Sequence, residues 1–201
     1  MRRETKKLVL DGLLGAVLAG LAVTVLAAPV AVVLGEDVTA TDTDALREAV
    51  LTPLLDRYAA AQGIEVETSE IDAFVANMEA GMRAEGLTAE DSLTHEERAE
   101  VAAMRRDMGR ALIRQWKLNR ALYAQYGGRI IYQQLGPEPL DAYREFLEEQ
   151  QAAGAFEFFD AGREKEFWRY FRDDDLHEFM APGSAEAENA FARAPWTTTE
   201  P

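Results

Sequence analysis

The sequence predicts a mainly α-helical domain with one short strand pair, preceded by an N-terminal hydrophobic helix. Apolar residues recur at intervals of three and four along most of the chain, which is the period of an amphipathic helix. Thr94-His-Glu-Glu97 has the spacing of a capping box, in which threonine and glutamate satisfy the free amides of a starting helix. The β-branched run from Val30 to Leu34 follows a proline, and it differs in composition from the leucine- and alanine-rich run before it.

Length, charge and cysteine content exclude several classes of protein. A chain of 201 residues supports one core of ordinary size, so we expect one domain. The formal net charge of −15 makes binding to nucleic acid or to an anionic membrane face unfavourable, whereas a basic partner stays open. The absence of cysteine excludes disulfides, thiolate metal sites and thiol nucleophiles.

Residues 1–27 are predicted to be a signal peptide or a membrane anchor. Four basic residues in MRRETKK precede an apolar helix-forming segment, as in an export signal, and cleavage after Ala27 would leave a charge of −17. The uncharged run from Gly12 to Gly35 has 24 residues and could also span a bilayer of about 30 Å, so inner-membrane attachment through residues 8–28 is the alternative. Basic residues ahead of the run place the rest of the chain outside the cytoplasm in both cases, so we expect a periplasmic or secreted protein. A cytoplasmic chain is the third alternative.

The first half of the domain is predicted to hold three helices. The first is capped by Thr43 or Asp44 and ends at Gly63, and Pro53 is expected to bend or divide it. The second is led by Thr68. The third is long and runs from the capping box to Gly127-Gly128.

The second half is predicted to hold two more helices and a short extended piece. Pro139 is well placed as the first residue of a helix that reaches about Ala153, and residues 155–160 are either a short strand or an extended link. Aromatic residues then predict a final helix: Phe167, Trp168, Phe171 and Phe179. Residues 181–201 have no apolar period and three prolines, so we expect a disordered tail after a folded domain of residues 28–180. No internal repeat is evident.

Three stretches carry a resemblance to a known family. They are VAVVLGEDVTATD (Val30 to Asp42), LLDRYAAAQGIEV (Leu54 to Val66) and SEIDAFV (Ser69 to Val75). Their order resembles the N-terminal domain of SurA-like periplasmic chaperones and their foldase relatives, convincingly over residues 30–80 and only by pattern as far as Tyr126. Leu34 stands where that family has a turn-forming asparagine, and Glu67 where it has a helix-capping threonine. The resemblance implies that Val30 to Leu34 is the first strand of a helical peptide-binding domain.

Residues able to carry catalysis are few. Many members of the family have a parvulin isomerase module after the helical domain, and this chain has no room for one. His95 lies in a helix cap and His177 near an acidic end, and neither has a partner at metal-ligand spacing. The acidic run Asp173 to Asp175, with His177, could hold a divalent cation loosely or form a solvated helix end. Because nucleotide-binding and hydrolase motifs are also absent, we expect no catalytic residue, no metal site and no cofactor.

Methionine and aromatic residues on two helices predict an apolar peptide-binding surface. Its six residues are Phe74, Met78, Met82, Met104, Met108 and Trp116. Flexible thioethers suit a surface that must accept varied apolar sequences. The alternative is that these side chains fill the core between the helices.

The sequence therefore favours a chaperone-like protein that binds unfolded or partner polypeptides through an apolar groove, without catalysis. A membrane-anchored accessory or scaffold subunit with one dedicated protein partner is the main alternative. A peptidyl-prolyl isomerase of unfamiliar type is a third hypothesis, although no set of residues recommends it. The sequence assigns no role to residues 127–141.

Overall fold

A computed structural model describes residues 28–40, 42–87 and 93–197. The predicted signal peptide or anchor, residues 1–27, lies outside the described residues, as does the hydrophobic helix expected there. Within the described ranges, none of the helices combines the length and the apolar character needed to cross a bilayer.

The described chain is mainly helical, with five short antiparallel strands. The helices are α1 (Thr43–Gln62), α2 (Thr68–Ala84), α3 (His95–Tyr126), α4 (Leu140–Ala152), α5 (Ala161–Arg172), a 3₁₀ turn (Asp174–Leu176) and α6 (Ala185–Asn189). The strands are β1 (Ala31–Val33), β2 (Glu36–Val38), β3 (Ile131–Gln133), β4 (Gly136–Glu138) and β5 (Phe156–Phe158). The predicted mainly helical class is confirmed, and the strand content exceeds the single pair that the sequence predicts.

The helix ends follow local capping chemistry. The amide of Glu97 donates to Thr94 Oγ1 at 3.3 Å and the amide of Thr94 donates to Glu97 Oε2 at 2.8 Å, which confirms the predicted capping box. Helix α1 is capped by Asp42, one residue before the predicted cap, through a 2.8 Å bond from the Ala45 amide. It then runs through Pro53 as one element of 20 residues, so the proline does not divide it.

The run Val30 to Leu34 contains a strand and does not continue a helix. Strand β1 pairs antiparallel with β2 on one side and with β5 on the other, giving the order β2-β1-β5. Leu34 and Gly35 form the two-residue turn with φ of 52° and 88°. Such a turn needs positive φ at both positions, so Leu34 carries strain that the asparagine of the resembling family would largely avoid.

A hairpin followed by a helix occurs twice, although no repeat was evident in the sequence. Strands β3 and β4 form a second antiparallel hairpin that leads into α4, as β1 and β2 lead into α1. Each hairpin has a Leu-Gly pair at or beside its turn, Leu34-Gly35 and Leu135-Gly136. Apart from these Leu-Gly pairs, the two hairpin-helix segments have little sequence in common, so their correspondence is visible only in the order of elements.

Two apolar clusters hold the molecule together. The larger lies between α1, α4, α5 and the three-stranded sheet, and its largest fully buried side chains include Phe156, Phe167 and Phe171. The smaller joins α2 and α3 to the C-terminal segment. Its buried members are Ile71, Ile113, Trp116, Ile130, Met180, Phe191 and Trp196.

The segment from Ala181 onward was predicted to be a disordered tail, and the structure corrects this for residues 181–197. Ser184 caps α6 through a 3.1 Å bond from the Ala187 amide. Phe191 and Trp196 then enter the smaller core, where they are 7% and 6% exposed. The physical reason is that two large aromatic side chains bury enough apolar area to order a short segment that has no helical period.

Residues 127–141, to which the sequence assigns no role, form the second hairpin and an ionic cluster behind it. Asp141 is 8% exposed and its Oδ2 accepts from the amide and Nε of Arg129 at 2.8 and 2.9 Å. The same guanidinium bonds Asp174 at 2.7 and 3.0 Å. Burial raises the pKa of Asp141, but the hydrogen bonds from Arg129 outweigh it and hold that pKa below its usual range.

Asp141→Asn is expected to lower the free energy of unfolding by about 2 kcal/mol at neutral pH, because a buried charged hydrogen-bond acceptor is lost. Since the folded pKa of Asp141 is depressed, its contribution is present above the unfolded pKa of about 3.9 and is lost as pH falls through the folded value. Urea unfolding at neutral and acidic pH measures this difference. If the difference in unfolding free energy between wild type and variant does not narrow in acid, the stabilising role of ionised Asp141 is contradicted.

Candidate functional site

Helices α2 and α3 pack antiparallel and form what we call the arm, residues 68–87 and 93–112. The ring of Phe74 lies so close to Gly109 that a Cβ added there would approach Phe74 Cδ1 to 2.9 Å. Ion pairs tie the two helices together, from Arg106 to Asp72 at 2.6 Å and from Arg105 to Glu79 at 3.2 Å. The arm therefore has a fixed helix pairing that determines which side chains face solvent.

Five of the six predicted surface residues lie on the arm. Phe74, Met78 and Met82 follow one another at intervals of four on α2 and are half-buried. Met104 and Met108, also four apart, are 64% and 42% exposed on α3. The arm thus has a pair of solvent-exposed methionines on α3 and a half-buried apolar stripe on α2.

Trp116 does not belong to this surface. It is 8% exposed and packs edge-on against Trp196, with ring centroids 5.2 Å apart, and against Phe191 at 6.5 Å. The C-terminal segment covers it, so the structure places Trp116 in the core and corrects its assignment to the peptide-binding set. The core alternative stated for these residues holds for Trp116.

A second feature is a cavity of about 590 Å³ between α1, α3, α4, α5 and the second hairpin, which we call the polar cavity. On one wall, Tyr143 OH donates to Asn119 Oδ1 at 2.8 Å and Gln115 Nε2 donates to Tyr143 OH at 2.8 Å. Asn119 Nδ2 donates to the carbonyl of Pro137 at 2.9 Å. These bonds hold a set of amide and hydroxyl groups in fixed positions along the cavity wall.

The cavity is also lined by Glu138, a half-buried carboxyl group on β4. Tyr170 OH donates to Glu138 Oε1 at 3.0 Å, and Gln133 Nε2 donates to Tyr170 OH at 2.9 Å. Burial raises the pKa of Glu138, and the hydrogen bond from Tyr170 together with the charges of His177 and Arg47 only partly offsets that effect. Arg47 stacks on the Tyr170 ring, with its guanidinium carbon 4.4 Å from the centroid.

The sequence did not single out the residues of the polar cavity. Glu138 lies in PEPLDAY, to which the sequence assigns no role. The other residues that line the cavity come from four separate helices and the second hairpin. The one available signal was a run of polar and aromatic residues, YQQLGPEP, between two predicted helices. That signal does not show which distant side chains meet there.

Two residues of the acidic run, and His177, have structural partners. Asp173 pairs with Arg169 at 3.3 Å, and Asp174 pairs with Arg129 at 2.7 Å. His177 Nε2 lies 2.6 Å from the carbonyl oxygen of Tyr170. His95 is the exposed first residue of α3. In the described part of the chain, acidic and histidine side chains nowhere gather in the threes that a metal ion would need.

Comparison with known proteins yields no relative: no family model, no curated protein and no solved structure matches this chain. The functional argument therefore rests on the exposed arm and the polar cavity.

Proposed function

We propose that the protein binds unfolded or partner polypeptides through the apolar face of the arm, without a chemical step. The observation that carries the proposal is the exposure of Met104 and Met108 on a paired helical arm. Two large apolar side chains spaced one helical turn apart provide a surface for apolar segments, and thioethers adapt to many shapes. Leu87, at the end of α2, extends the apolar surface with 60% exposure.

Charge supports the same function. The formal net charge of −15 would keep a complex with an aggregation-prone chain soluble. Arg106 pairs with Asp72 and Arg105 with Glu79 across the arm, which engages two of its positive charges with acids of the same chain.

The order of elements supports kinship with the peptide-binding half of SurA-like chaperones. The strand at Ala31–Val33, its return strand, α1 and α2 follow the order that the resemblance implies. In α2 the departure at Glu67 is accommodated, because its amide donates to Glu70 Oε2 at 2.9 Å. In the proposed relationship, residues 28–197 provide the polypeptide-binding part.

Location is part of the proposal. Basic residues followed by a long apolar run at the N-terminus favour export to the periplasm or medium, with the run cleaved or kept as an inner-membrane anchor. N-terminal sequencing of the protein recovered outside the cytoplasm separates the two forms. Recovery of the intact chain from the cytoplasm alone would contradict both.

The test uses Met104→Ser/Met108→Ser in an aggregation assay with a chemically denatured client. Wild type is expected to slow aggregation at near-stoichiometric amounts, and the double variant to need roughly tenfold more protein, as for a loss of about 1.4 kcal/mol of apolar contact. Both residues are exposed, so thermal unfolding should stay close to wild type.

The matched control is Phe159→Ser/Leu176→Ser, which removes two apolar side chains that are 55% and 48% exposed away from the arm. It should protect the client as wild type does. No protection by wild type at several-fold excess, or equal losses in both double variants, would contradict the proposal. A pull-down that returns one stoichiometric partner in place of many clients would favour an accessory subunit.

A further inference from the structure

We propose that the polar cavity binds an organic cation, a group headed by ammonium or guanidinium, with Glu138 as its counter-charge. This inference is independent of the arm. It assigns a ligand to the polar cavity, which is formed by α1, α3, α4, α5 and the second hairpin.

The size and lining of the polar cavity suit a small ligand or a long side chain. Its volume of about 590 Å³ falls within the range of sites that bind small molecules. Aromatic and aliphatic side chains form part of the wall, and the polar groups converge from several elements. Tyr143 and Asn119 are tied to each other at 2.8 Å, so the wall is organised before any ligand enters.

The charges around the polar cavity favour a cation. Its charged lining residues are Asp44, Arg47, Glu48 and Glu138. Arg47 is paired with Asp44, which offsets the only positive charge in this lining set. Of the described residues, none forms an ion pair with Glu138 or Glu48, so the lining has a negative balance when these acids are ionised.

The carboxyl group of Glu138 is half-buried, and the nearby positive charges of His177 and Arg47 offset the effect of burial only in part. Removing a carboxylate from water costs free energy unless a cation or several donors compensate it. The donor found here is one hydroxyl, that of Tyr170 at 3.0 Å, and burial accordingly raises the pKa of the carboxyl. An entering ammonium or guanidinium would supply the missing charge and stabilise the carboxylate form, whereas a neutral or anionic ligand would not.

The protein's own side chains show that the wall accepts a cation. The guanidinium of Arg47 already lies on the face of Tyr170, 4.4 Å from the ring centroid. The electron-rich faces of aromatic rings attract cations, and Tyr143, Tyr170 and Phe171 all line the polar cavity. A ligand cation would therefore meet a carboxylate and aromatic walls together.

The experiment titrates the purified chain with n-butylammonium and n-butylguanidinium and follows binding by NMR chemical shifts. 1-Butanol and butyrate are the neutral and anionic probes of the same length. At least one cation is expected to bind, at least about tenfold more tightly than either other probe, because only the cation neutralises Glu138. Equal binding of butanol, or no binding of either cation at millimolar concentrations, would overturn the proposal.

Glu138→Gln removes the charge but keeps an oxygen that can accept from Tyr170, so the fold should be retained. It is expected to weaken cation binding by at least about tenfold. The matched control is Glu100→Gln, an exposed acid on the arm far along α3, which should bind as wild type. Unchanged binding by Glu138→Gln with normal unfolding behaviour would place the cation elsewhere and overturn the inference.

A second titration identifies the source of the cation. A blocked peptide with one central lysine is titrated beside free butylammonium. If the peptide binds more tightly, the inference is supported and the ligand is a basic side chain of a polypeptide. Tighter binding of the free amine supports it with a small molecule as the ligand.

Discussion

Replacing Trp196 with alanine is expected to lower the free energy of unfolding by about 3 kcal/mol, because a large buried aromatic side chain is lost and its space only partly closes. Trp196 is 6% exposed, and its ring centroid lies 5.2 Å from that of Trp116. Its carbonyl also accepts from Asn77 Nδ2 at 2.6 Å, which ties the C-terminal segment to α2. Urea unfolding followed by circular dichroism measures the loss.

A chain that ends at Met180 should lose at least as much stability, since Phe191 is removed with Trp196. It should also shift the fluorescence of Trp116 toward that of a solvent-exposed indole. Glu188→Gln changes an exposed residue of α6 and is the control, with an expected change within about 0.5 kcal/mol. Truncation without a change in stability would mean that the segment is dispensable, as its composition alone had suggested.

The C-terminal segment shows where sequence reasoning stops. Phe191 and Trp196 have no periodic neighbours, and the segment has three prolines, so every local signal indicates a tail. What orders it is a contact with Trp116, which is 80 positions away from Trp196 in the sequence. A contact of that range has no signature in the local pattern of either segment.

Local chemistry, in contrast, predicted most of the helices. The Thr94 capping box and the glycines that end α1 and α3 are short-range patterns, and the structure has each of them. Three of the four aromatic residues predicted on the last helix lie on α5, whereas Phe179 lies beyond it and forms a bridge with Ile131. The third strand of the sheet is different, because β5 finds β1 more than a hundred residues earlier. Strand pairing between distant segments depends on the whole fold.

The arm and the polar cavity also differ in how far the sequence predicts them. Phe74, Met78 and Met82 share a face of α2, and Met104 and Met108 a face of α3, because helical spacing sets these faces and can be read from the sequence. Trp116 continues the stripe of α3 but is covered by a segment that the pattern does not reveal. The polar cavity draws on five elements, so Glu138 and Tyr170 meet only in the folded chain.

Gly128→Ala is expected to destabilise the fold by about 3 kcal/mol or more, through strained backbone and a steric clash together. Its φ of 88° is unfavourable for any residue with a Cβ, and a Cβ there would lie 2.5 Å from the Cβ of Asp141. The clash cannot be relieved by rotating a flexible side-chain end, because the nearest atom is the first atom of the Asp141 side chain. Asp141 would have to move away from Arg129, and the ionic cluster behind the second hairpin would open.

Gly154→Ala is the matched control for the backbone part of this effect. Its φ of 71° is also positive, but a Cβ at Gly154 would meet nothing within 4 Å, so only the strain of about 1 kcal/mol is expected. In an Asp141→Ala background, Gly128→Ala should cost less than in wild type, since the bonds to Arg129 are already gone and the two changes share one cluster. Equal costs for the two glycine variants would show that Gly128 and Asp141 do not approach each other as closely as the structure places them, and that residues 127–141 are held by the hairpin alone.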